Sequence, residues 1–453
     1  MIKQSRSHKW IFIGFMVCLV ALLVFPVFAA EKVTLQFMIS SYQEEGLKPV
    51  VDAFNAKNPD IKVEIQLAAG DWDKLNQKIL TSVAAGTAPD ICPVQDKAIP
   101  AFALRGFYLN LDHYIKTDPE FKKAMNDQVA HSNDPWKMNT KTGQMGVGSQ
   151  YALSFNGGAL VLYYNKTLFD KAGVAYPNAN WTWDDFLNAA KKTTVTDDKG
   201  RVVQYGLTSS NWWYHDFPTW VWSAGGDFIA YKHGVPTSAF NTPQVLTALK
   251  YMQDMVLKYK VAQSLLKTDD MVAAFGSGRT AMYAALTSFV GYIKNATTNY
   301  KWEIADWPPI NPKAGAKYRR TRSTFDGVAI LKSTKHPDQA WKFIKFMAAG
   351  EGQQAIAKGA GFQPVLKSVL QSDLWRDPEI PQKANFAGYG SIGKNVPANV
   401  MWPQMVTQVE KYYQLMINGD LSPEDAQKQI HVTINNLLND GQKLIQEMKS
   451  EKK

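Results

Sequence analysis

The chain has 453 residues, with 50 Lys and Arg against 40 Asp and Glu, a formal net charge of +10, and 45% hydrophobic residues. This length predicts two or three domains with enough chain to bury a core, and the near-average composition excludes a disordered or fibrous protein. The two cysteines cannot form a disulfide scaffold. The basic excess points to an anionic partner only if the positive charges cluster.

The N-terminus has the pattern of an export signal. A positively charged start is followed by an apolar run over residues 10–28 and then by the small residues Ala29 and Ala30. We therefore predict a signal peptide at residues 1–29, and Pro26 favours its cleavage. A retained anchor helix is the alternative, because an apolar run of this length nearly spans a bilayer. No later segment is as long and apolar, so we expect a periplasmic or extracellular protein.

The first elements after this signal predict a parallel strand pair. Apolar residues alternate with polar ones over residues 33–39, recur at helical spacing over 47–54, and alternate again over 61–65. A strand, a helix and a second strand in this order give a parallel pair covered by a helix. The sequence therefore predicts an α/β layer at the start of the mature chain.

Further elements follow in the same alternation. Helix starts are predicted at Thr182, Thr242-Pro243, His336-Pro337 and Ser422-Pro423, three of them with a hydroxyl as N-cap. Short strands are predicted at residues 160–164, 280–284 and 327–331. The predicted fold class is therefore α/β throughout, without internal repeats.

Motifs for catalysis are missing from the sequence. Gly276-Ser277-Gly278 lacks the spacing of a nucleophile elbow, and the sequence contains no phosphate loop, dinucleotide fingerprint or zinc motif. Adjacent acids such as Asp184-Asp185 are typical of caps and loops. We predict a protein that is not an enzyme, with no metal and no cofactor. An exported glycan hydrolase stays an alternative, since that chemistry needs only two acids close in space.

Aromatic residues are concentrated in one short segment. Six of the eleven positions from 212 to 222 are aromatic, and Asn211, His215 and Asp216 lie among or beside them. Aromatic faces stack on the apolar faces of sugar rings, while polar neighbours bind hydroxyl groups. Core packing is the equal alternative for Trp220 and Trp222. Consecutive residues cannot all face one core, so at least one of residues 212–214 should face outward.

Six segments give the sequence a family resemblance. They are FNAKNPDIKV from Phe54, AAGTAPDI from Ala84, YNKTLFDKAGV from Tyr164, WTWDDFLNAA from Trp181, FGSGRTAM from Phe275 and KHPDQAWKFIKFM from Lys335. In this order and spacing, the chain resembles the extracellular solute-binding proteins of bacterial ABC sugar importers, the group that includes maltose-binding protein.

The resemblance implies a two-lobed periplasmic-binding-protein fold of type II, with a multi-segment hinge and a ligand cleft between the lobes. Lobe 1 would contain residues 30–150 and 308–365, and lobe 2 would contain residues 151–307 and 366–453. The implied protein is a monomer that closes on a carbohydrate and delivers it to the transmembrane permease subunits. A polyamine, peptide or glycerol-phosphate ligand in the same fold is the alternative.

The resemblance also implies which residues contact the ligand. They come from the loop after the first strand, from the segments after later strands and from the aromatic cluster. The predicted contacts are Tyr42, Gln43, Glu44, Asp96, Tyr151, Trp212, Trp213, Tyr214, Ser288, Asp326, Gln363 and Trp402.

Three arginines form the tightest basic cluster. Arg319, Arg320 and Arg322 would lie in a solvated loop or on a permease-docking surface, or one of them would bind the carboxylate of an acidic sugar. The other Lys and Arg residues are scattered, so we expect no nucleic-acid partner.

Overall fold

A computed structural model describes residues 32–208, 216–263, 268–308, 310, 319–359 and 362–450. The predicted signal peptide and the predicted contacts Trp212, Trp213 and Tyr214 lie outside these residues. Within them, no helix is both long and apolar enough to cross a membrane.

The described chain contains strands throughout its length. They are β1 (Val33–Ser40), β2 (Ile61–Ala68), β3 (Ile91–Gln95), β4 (Lys137–Asn139), β5 (Gln144–Met145), β6 (Ser149–Gln150), β7 (Leu153–Asn165), β8 (Val195–Thr196), β9 (Val202–Thr208), β10 (Ile229–Lys232), β11 (Val235–Ser238), β12 (Ala262–Gln263), β13 (Thr280–Leu286), β14 (Trp302–Ala305), β15 (Thr321–Ile330) and β16 (Gly393–Lys394).

Helices alternate with these strands. They are α1 (Glu44–Lys57), α2 (Trp72–Ala84), α3 (Ile99–Arg105), α4 (Asp112–Thr117), α5 (Pro119–Met125), α6 (Lys166–Ala172), α7 (Trp183–Thr193), α8 (Phe217–Ser223), α9 (Pro243–Leu257), α10 (Thr268–Gly276), α11 (Val290–Ala296), α12 (Pro337–Ala349), α13 (Gly352–Lys358), α14 (Lys367–Leu370), α15 (Tyr389–Ile392), α16 (Trp402–Asn418) and α17 (Pro423–Ser450). The prediction of an α/β fold is confirmed.

The predicted opening unit is confirmed. Strands β1 and β2 pair in parallel from Val33 opposite Ile61 to Ser40 opposite Ala68. Helix α1 buries Leu47, Val50 and other apolar residues at helical spacing against this pair. Both strands therefore end at the same edge of the sheet.

The predicted helix starts are also confirmed. The Thr182 hydroxyl accepts a hydrogen bond from the Asp185 backbone N–H, and the Asp185 carboxylate accepts one from the Thr182 backbone N–H, a complete capping box. Helix α9 starts at Pro243 with Thr242 as its N-cap, α12 starts at Pro337, and α17 starts at Pro423.

The main sheet has two halves joined by two long strands. The strand order is β12-β9-β13-β7-β15-β3-β1-β2, with β14 also paired to β7. Strand β7 pairs with β15 through its first half, residues 153–159, and with β13 and β14 through residues 160–165. Strands β7 and β15 therefore connect a half built on β1, β2 and β3 to a half built on β13, β9 and β12.

Buried apolar residues pack on the sheet in clusters, one of which contains residues of both halves. In the second half, Trp220 is fully buried and its ring lies 4.6 Å from that of Trp307 and 5.2 Å from that of Trp183, measured between centroids. Trp222 is 2% exposed in the same core. The core alternative is thus correct for both tryptophans. Cys92 is fully buried in the first half, as expected of a small apolar residue.

Candidate ligand-binding cleft

A cleft of about 560 Å³ lies where the two halves of the sheet meet. Its first wall comes from the loops after β1, β2 and β3, whose carboxyl ends share one edge. Loops at such an edge form the ligand crevice of open α/β sheets. The lining residues are Tyr42, Asp71, Trp72, Asp73, Gln95, Lys97, Asn156, Gly157, Gly158, Leu286, Ser288, Phe289, Tyr292, Arg322, Thr324, Asp326 and Phe362.

The first wall presents an aromatic pair. Tyr42 lies in the turn after β1, and its ring meets that of Trp72 edge-on at 6.4 Å between centroids. Trp72 is the first residue of α2, where the Asp71 carboxylate caps the helix by accepting from the backbone N–H groups of Asp73 and Lys74. The cap fixes the direction in which α2 leaves the cleft.

A second aromatic pair stands on the opposite wall. Phe289 and Tyr292 follow β13, with their ring centroids 6.0 Å apart, and Ser288 lies beside them. Tyr42 is 53% exposed and Tyr292 is 54% exposed. They are the only aromatic residues in the described ranges that are more than about a third exposed, and both line this cleft.

The floor carries a row of polar side chains. Asp326 of β15 stands opposite Asn156 of β7 on one side and opposite Gln95 of β3 on the other. The Asn156 Nδ2 group donates a hydrogen bond of 2.7 Å to Oδ2 of Asp326. The register of β15 against β7 shifts directly after Asp326, and such bulges re-aim side chains at functional sites.

Glycines keep this floor open. At Gly157 a Cβ atom would lie 2.4 Å from the ring of Phe325, so a larger residue there would displace the neighbouring strand. At Gly158 a Cβ atom would lie 3.1 Å from the Thr287 hydroxyl. Gly157 therefore lets the Phe325 side chain of β15 pack against β7, and Gly158 lets the turn after β13 approach β7 closely.

A buried hydrogen-bond network holds the floor in place. The Gln363 backbone N–H donates to Oδ1 of Asn156 at 2.9 Å, and the Gln363 carbonyl accepts from the Gly157 N–H at 3.1 Å. The Thr287 hydroxyl donates to the Gln363 side chain and accepts from the Ala159 N–H. Gln363 is only 4% exposed, so it supports the floor from behind.

Charged groups converge beside Asp326. Arg322 precedes Asp326 by four residues on β15 and is 8% exposed. Its positive charge acts on the carboxylates of both Asp96 and Asp326. Burial raises the pKa of Asp96, and the charge of Arg322 opposes this rise. Burial raises the pKa of Asp326 to about 7, and Asp96 acts in the same direction, whereas Asn156 and Arg322 oppose it.

The structure brings together part of the predicted site. Tyr42, Ser288, Asp326 and Arg322 line the cleft. Arg322 lies in strand β15, so the expectation of a solvated loop or docking surface is wrong for this residue. Asp96 lines a smaller adjoining cavity of about 160 Å³.

Other predicted residues lie outside the described cleft lining. Gln43 is buried and its side chain accepts from the Ser40 N–H, while Glu44 begins α1 half-buried. Tyr151 is 8% exposed beside the short β4–β6 sheet. Trp402 is 1% exposed because it shares the buried face of α16 with Met405 and Val409.

Two of the predicted arginines bond to backbone carbonyls. Arg319 donates to the carbonyl of Ala179 at 2.7 Å, and Arg320 donates to that of Ser391 at 3.5 Å. Neither arginine is among the described lining residues.

The sequence analysis predicted only Tyr42 among the four residues of the two aromatic pairs. Trp72, Phe289 and Tyr292 were not predicted as contacts, nor were Asn156 and Gln95. The sequence contained one signal for Trp72. It lies in the segment after β2, at the same edge of the sheet where Tyr42 follows β1. Tyr292 lies on a short helix and has no such signal.

Comparison with known proteins identifies the family of this chain. Residues 40–354 match the family of bacterial extracellular solute-binding proteins. A Brucella abortus protein known by name only as a binding protein is 29% identical over 72% of this chain and 74% of its own length. The diacetylchitobiose-binding protein of Streptomyces coelicolor is 24% identical over 91% of each chain.

A solved structure has the same fold. The ABC substrate-binding protein of Listeria monocytogenes in complex with cycloalternan superposes with a TM-score of 0.74 at 25% identity, covering 90% of this chain and 99% of that one. The fold and the cleft thus define a two-lobed ligand-binding protein, as predicted. The chain belongs to the bacterial extracellular solute-binding protein family.

Proposed function

We propose that this protein is the substrate-binding component of an ABC importer, which captures a saccharide in the cleft and delivers it to a membrane permease. One observation carries the proposal most directly. The two exposed aromatic side chains of the described chain, Tyr42 and Tyr292, come from different halves of the sheet and line the same cleft. Exposed aromatic rings beside polar groups suit a flat, partly apolar sugar ring.

The polar side chains of the floor suit the hydroxyl groups at the edge of the same sugar ring. A carboxylate accepts hydrogen bonds at two oxygens, and Asn156 occupies one oxygen of Asp326. Sugar hydroxyl groups are donors that can bond to the other oxygen. The cleft therefore offers stacking for ring faces and hydrogen bonds for ring edges, which is the combination that saccharides require.

Closure of the lobes is part of the proposal. We assign lobe 1 to residues 30–150 and 308–365 and lobe 2 to residues 151–307 and 366–453, with β7 and β15 as crossing segments. Closing would bring Tyr42 and Tyr292 onto opposite faces of one ligand and exclude water. We further propose export by a cleaved signal peptide to the periplasm or cell exterior, and a monomeric protein without enzymatic activity.

Calorimetry with product analysis tests this function. The purified protein is titrated with cellotriose, maltotriose, arabinotriose and N,N′-diacetylchitobiose, and each mixture is then chromatographed. We expect saturable binding of at least one saccharide, recovered intact. Cleavage of the bound saccharide would instead establish a glycan hydrolase, and binding of none of them would contradict the proposal.

A further inference from the structure

The charge balance of the cleft is a feature that the family does not explain. Carboxylates at or beside its lining belong to Asp71, Asp73, Asp96 and Asp326, whereas the described cations there are Lys97 and Arg322. The Lys97 ammonium lies 3.7 Å from the Asp73 carboxylate. Above pH 7, where Asp326 is ionised, the described part of the cleft lining therefore has a surplus of negative charge, although the whole chain is basic.

Arg322 already has anionic neighbours. Its charge acts on Asp96 and Asp326, which approach it from the turn after β3 and from its own strand. Its backbone N–H donates to the hydroxyl of Thr219 at 3.0 Å, which fixes the strand against α8. One mostly buried guanidinium thus interacts electrostatically with both carboxylates.

This arrangement would disfavour the binding of an anionic ligand. A carboxylate or phosphate brought beside Asp326 loses its hydration, and the one nearby guanidinium is shared with two acids. The repulsion between the ligand and Asp326 grows as the lobes exclude water and the local dielectric falls. A hydroxyl group, in contrast, donates to Asp326 without any charge to compensate.

We propose that the cleft selects saccharides without acidic groups, with Arg322 serving as the counter-ion of Asp96 and Asp326 and not as a receptor for a ligand carboxylate. This inference rests on the proposed function, because it specifies the chemical class of saccharide bound at the same site. It excludes uronates and glycerol phosphate as the transported solute. An amino sugar is compatible, since its ammonium group can bond to Asp326.

Matched probes separate charge from shape. Cellotriose and maltotriose are each compared by calorimetry with the same trisaccharide oxidised at C6 to the uronate, and with the methyl ester of that uronate. The ester has the size of the acid without its charge. We expect the uronate to bind about 100-fold more weakly than the parent sugar, a loss of about 2.7 kcal/mol, and the ester to recover most of the affinity.

Two variants test the roles of the charged residues. In Asp326→Asn, the discrimination against the uronate should shrink at least about tenfold, because Arg322 then has one carboxylate fewer. In Arg322→Gln, affinity for parent sugar and uronate should fall together. Arg105→Gln is the control, since Arg105 is exposed and donates to the Ala101 carbonyl far from the cleft.

Each outcome decides between the claims. A uronate that binds as tightly as its parent sugar, and loses affinity selectively in Arg322→Gln, would overturn the inference while leaving saccharide binding intact. An ester as weak as the uronate would overturn it too, because size and not charge would then be the cause. If the protein bound neither parent sugar, neither uronate and no sn-glycerol 3-phosphate, and also bound neither arabinotriose nor N,N′-diacetylchitobiose, the proposed function itself would be contradicted.

Discussion

The side chain of Asn156 donates a 2.7 Å hydrogen bond to the Asp326 carboxylate and thereby ties the two crossing strands, β7 and β15, at the floor of the cleft. The orientation of the Asn156 amide is set by its other end, because Oδ1 accepts from the Gln363 N–H. Asp326 consequently presents its remaining oxygen to the cleft. Gln363, which is not among the described lining residues, thus orients the floor of the cleft through Asn156.

Asn156→Asp should disrupt this floor. The substitution keeps the size of the side chain, removes the donor to Asp326 and places a second carboxylate beside it. We expect the melting temperature at pH 8 to fall by about 2 to 6 °C and the loss to diminish at pH 5. The control Asn299→Asp, at an exposed position, should change neither value. An equal loss at both pH values would show that the effect is not electrostatic.

Asp326→Asn should stabilise the ligand-free protein in alkaline solution. The pKa of Asp326 is about 7, above its ordinary value of 3.8, so the folded state binds the proton more tightly than the unfolded state does. Stability from this group is present at low pH and is lost as the pH rises through about 7. The variant should therefore melt higher than the wild type at pH 8, and this difference should shrink as the pH falls to 5. A lower melting temperature than wild type at pH 8 would contradict this assignment.

Trp220→Ala should destabilise the second lobe. The side chain is fully buried among Trp183, Phe186, Tyr251 and Trp307, so truncation leaves a large cavity. Truncating a buried aromatic residue costs about 3 to 5 kcal/mol, to be measured by urea unfolding. Trp220→Phe should lose much less. If Trp220→Ala weakened saccharide binding with stability unchanged, Trp220 would be a ligand contact and not a core residue.

Gly158→Leu should disturb the cleft floor. A Cβ atom there lies 3.1 Å from the Thr287 hydroxyl and 3.5 Å from the Ser288 hydroxyl, so a Leu side chain displaces the turn that carries both residues. We expect saccharide affinity to fall at least about tenfold, measured by calorimetry. Gly291→Leu is the control, because a Cβ atom at Gly291 meets nothing within 4 Å. Equal losses in the two variants would place the ligand elsewhere.

Local signals in the sequence predicted much of the fold. Caps such as Thr182 and Thr242, and the alternation along β1 and β2, depend on neighbours in the chain, and the structure confirms them. The start of β15 was harder to predict. Thr321 and Arg322 read as part of a basic loop, but pairing with β16 from residues 393–394 extends the strand over them.

The site was less predictable because it combines distant segments. Tyr42 and Tyr292 are 250 positions apart, and their meeting depends on how β7 and β15 cross. The same limitation explains Trp402, an aromatic residue whose sequence gives no sign of whether it faces ligand or core. Its packing at the start of α16, in step with Met405 and Val409, places it in the core.

Thermal shift in the double variant Tyr42→Ala/Tyr292→Ala tests the central claim most directly. Cellotriose, maltotriose, arabinotriose and N,N′-diacetylchitobiose are added to the wild type, to the double variant and to a Tyr412→Ala control outside the described cleft lining. At about a hundredfold excess over Kd, binding stabilises the folded protein by about 2.7 kcal/mol. We predict that at least one saccharide raises the melting temperature of the wild type and the control but not of the double variant. An equal shift in all three proteins, or none in the wild type, would contradict saccharide binding in this cleft.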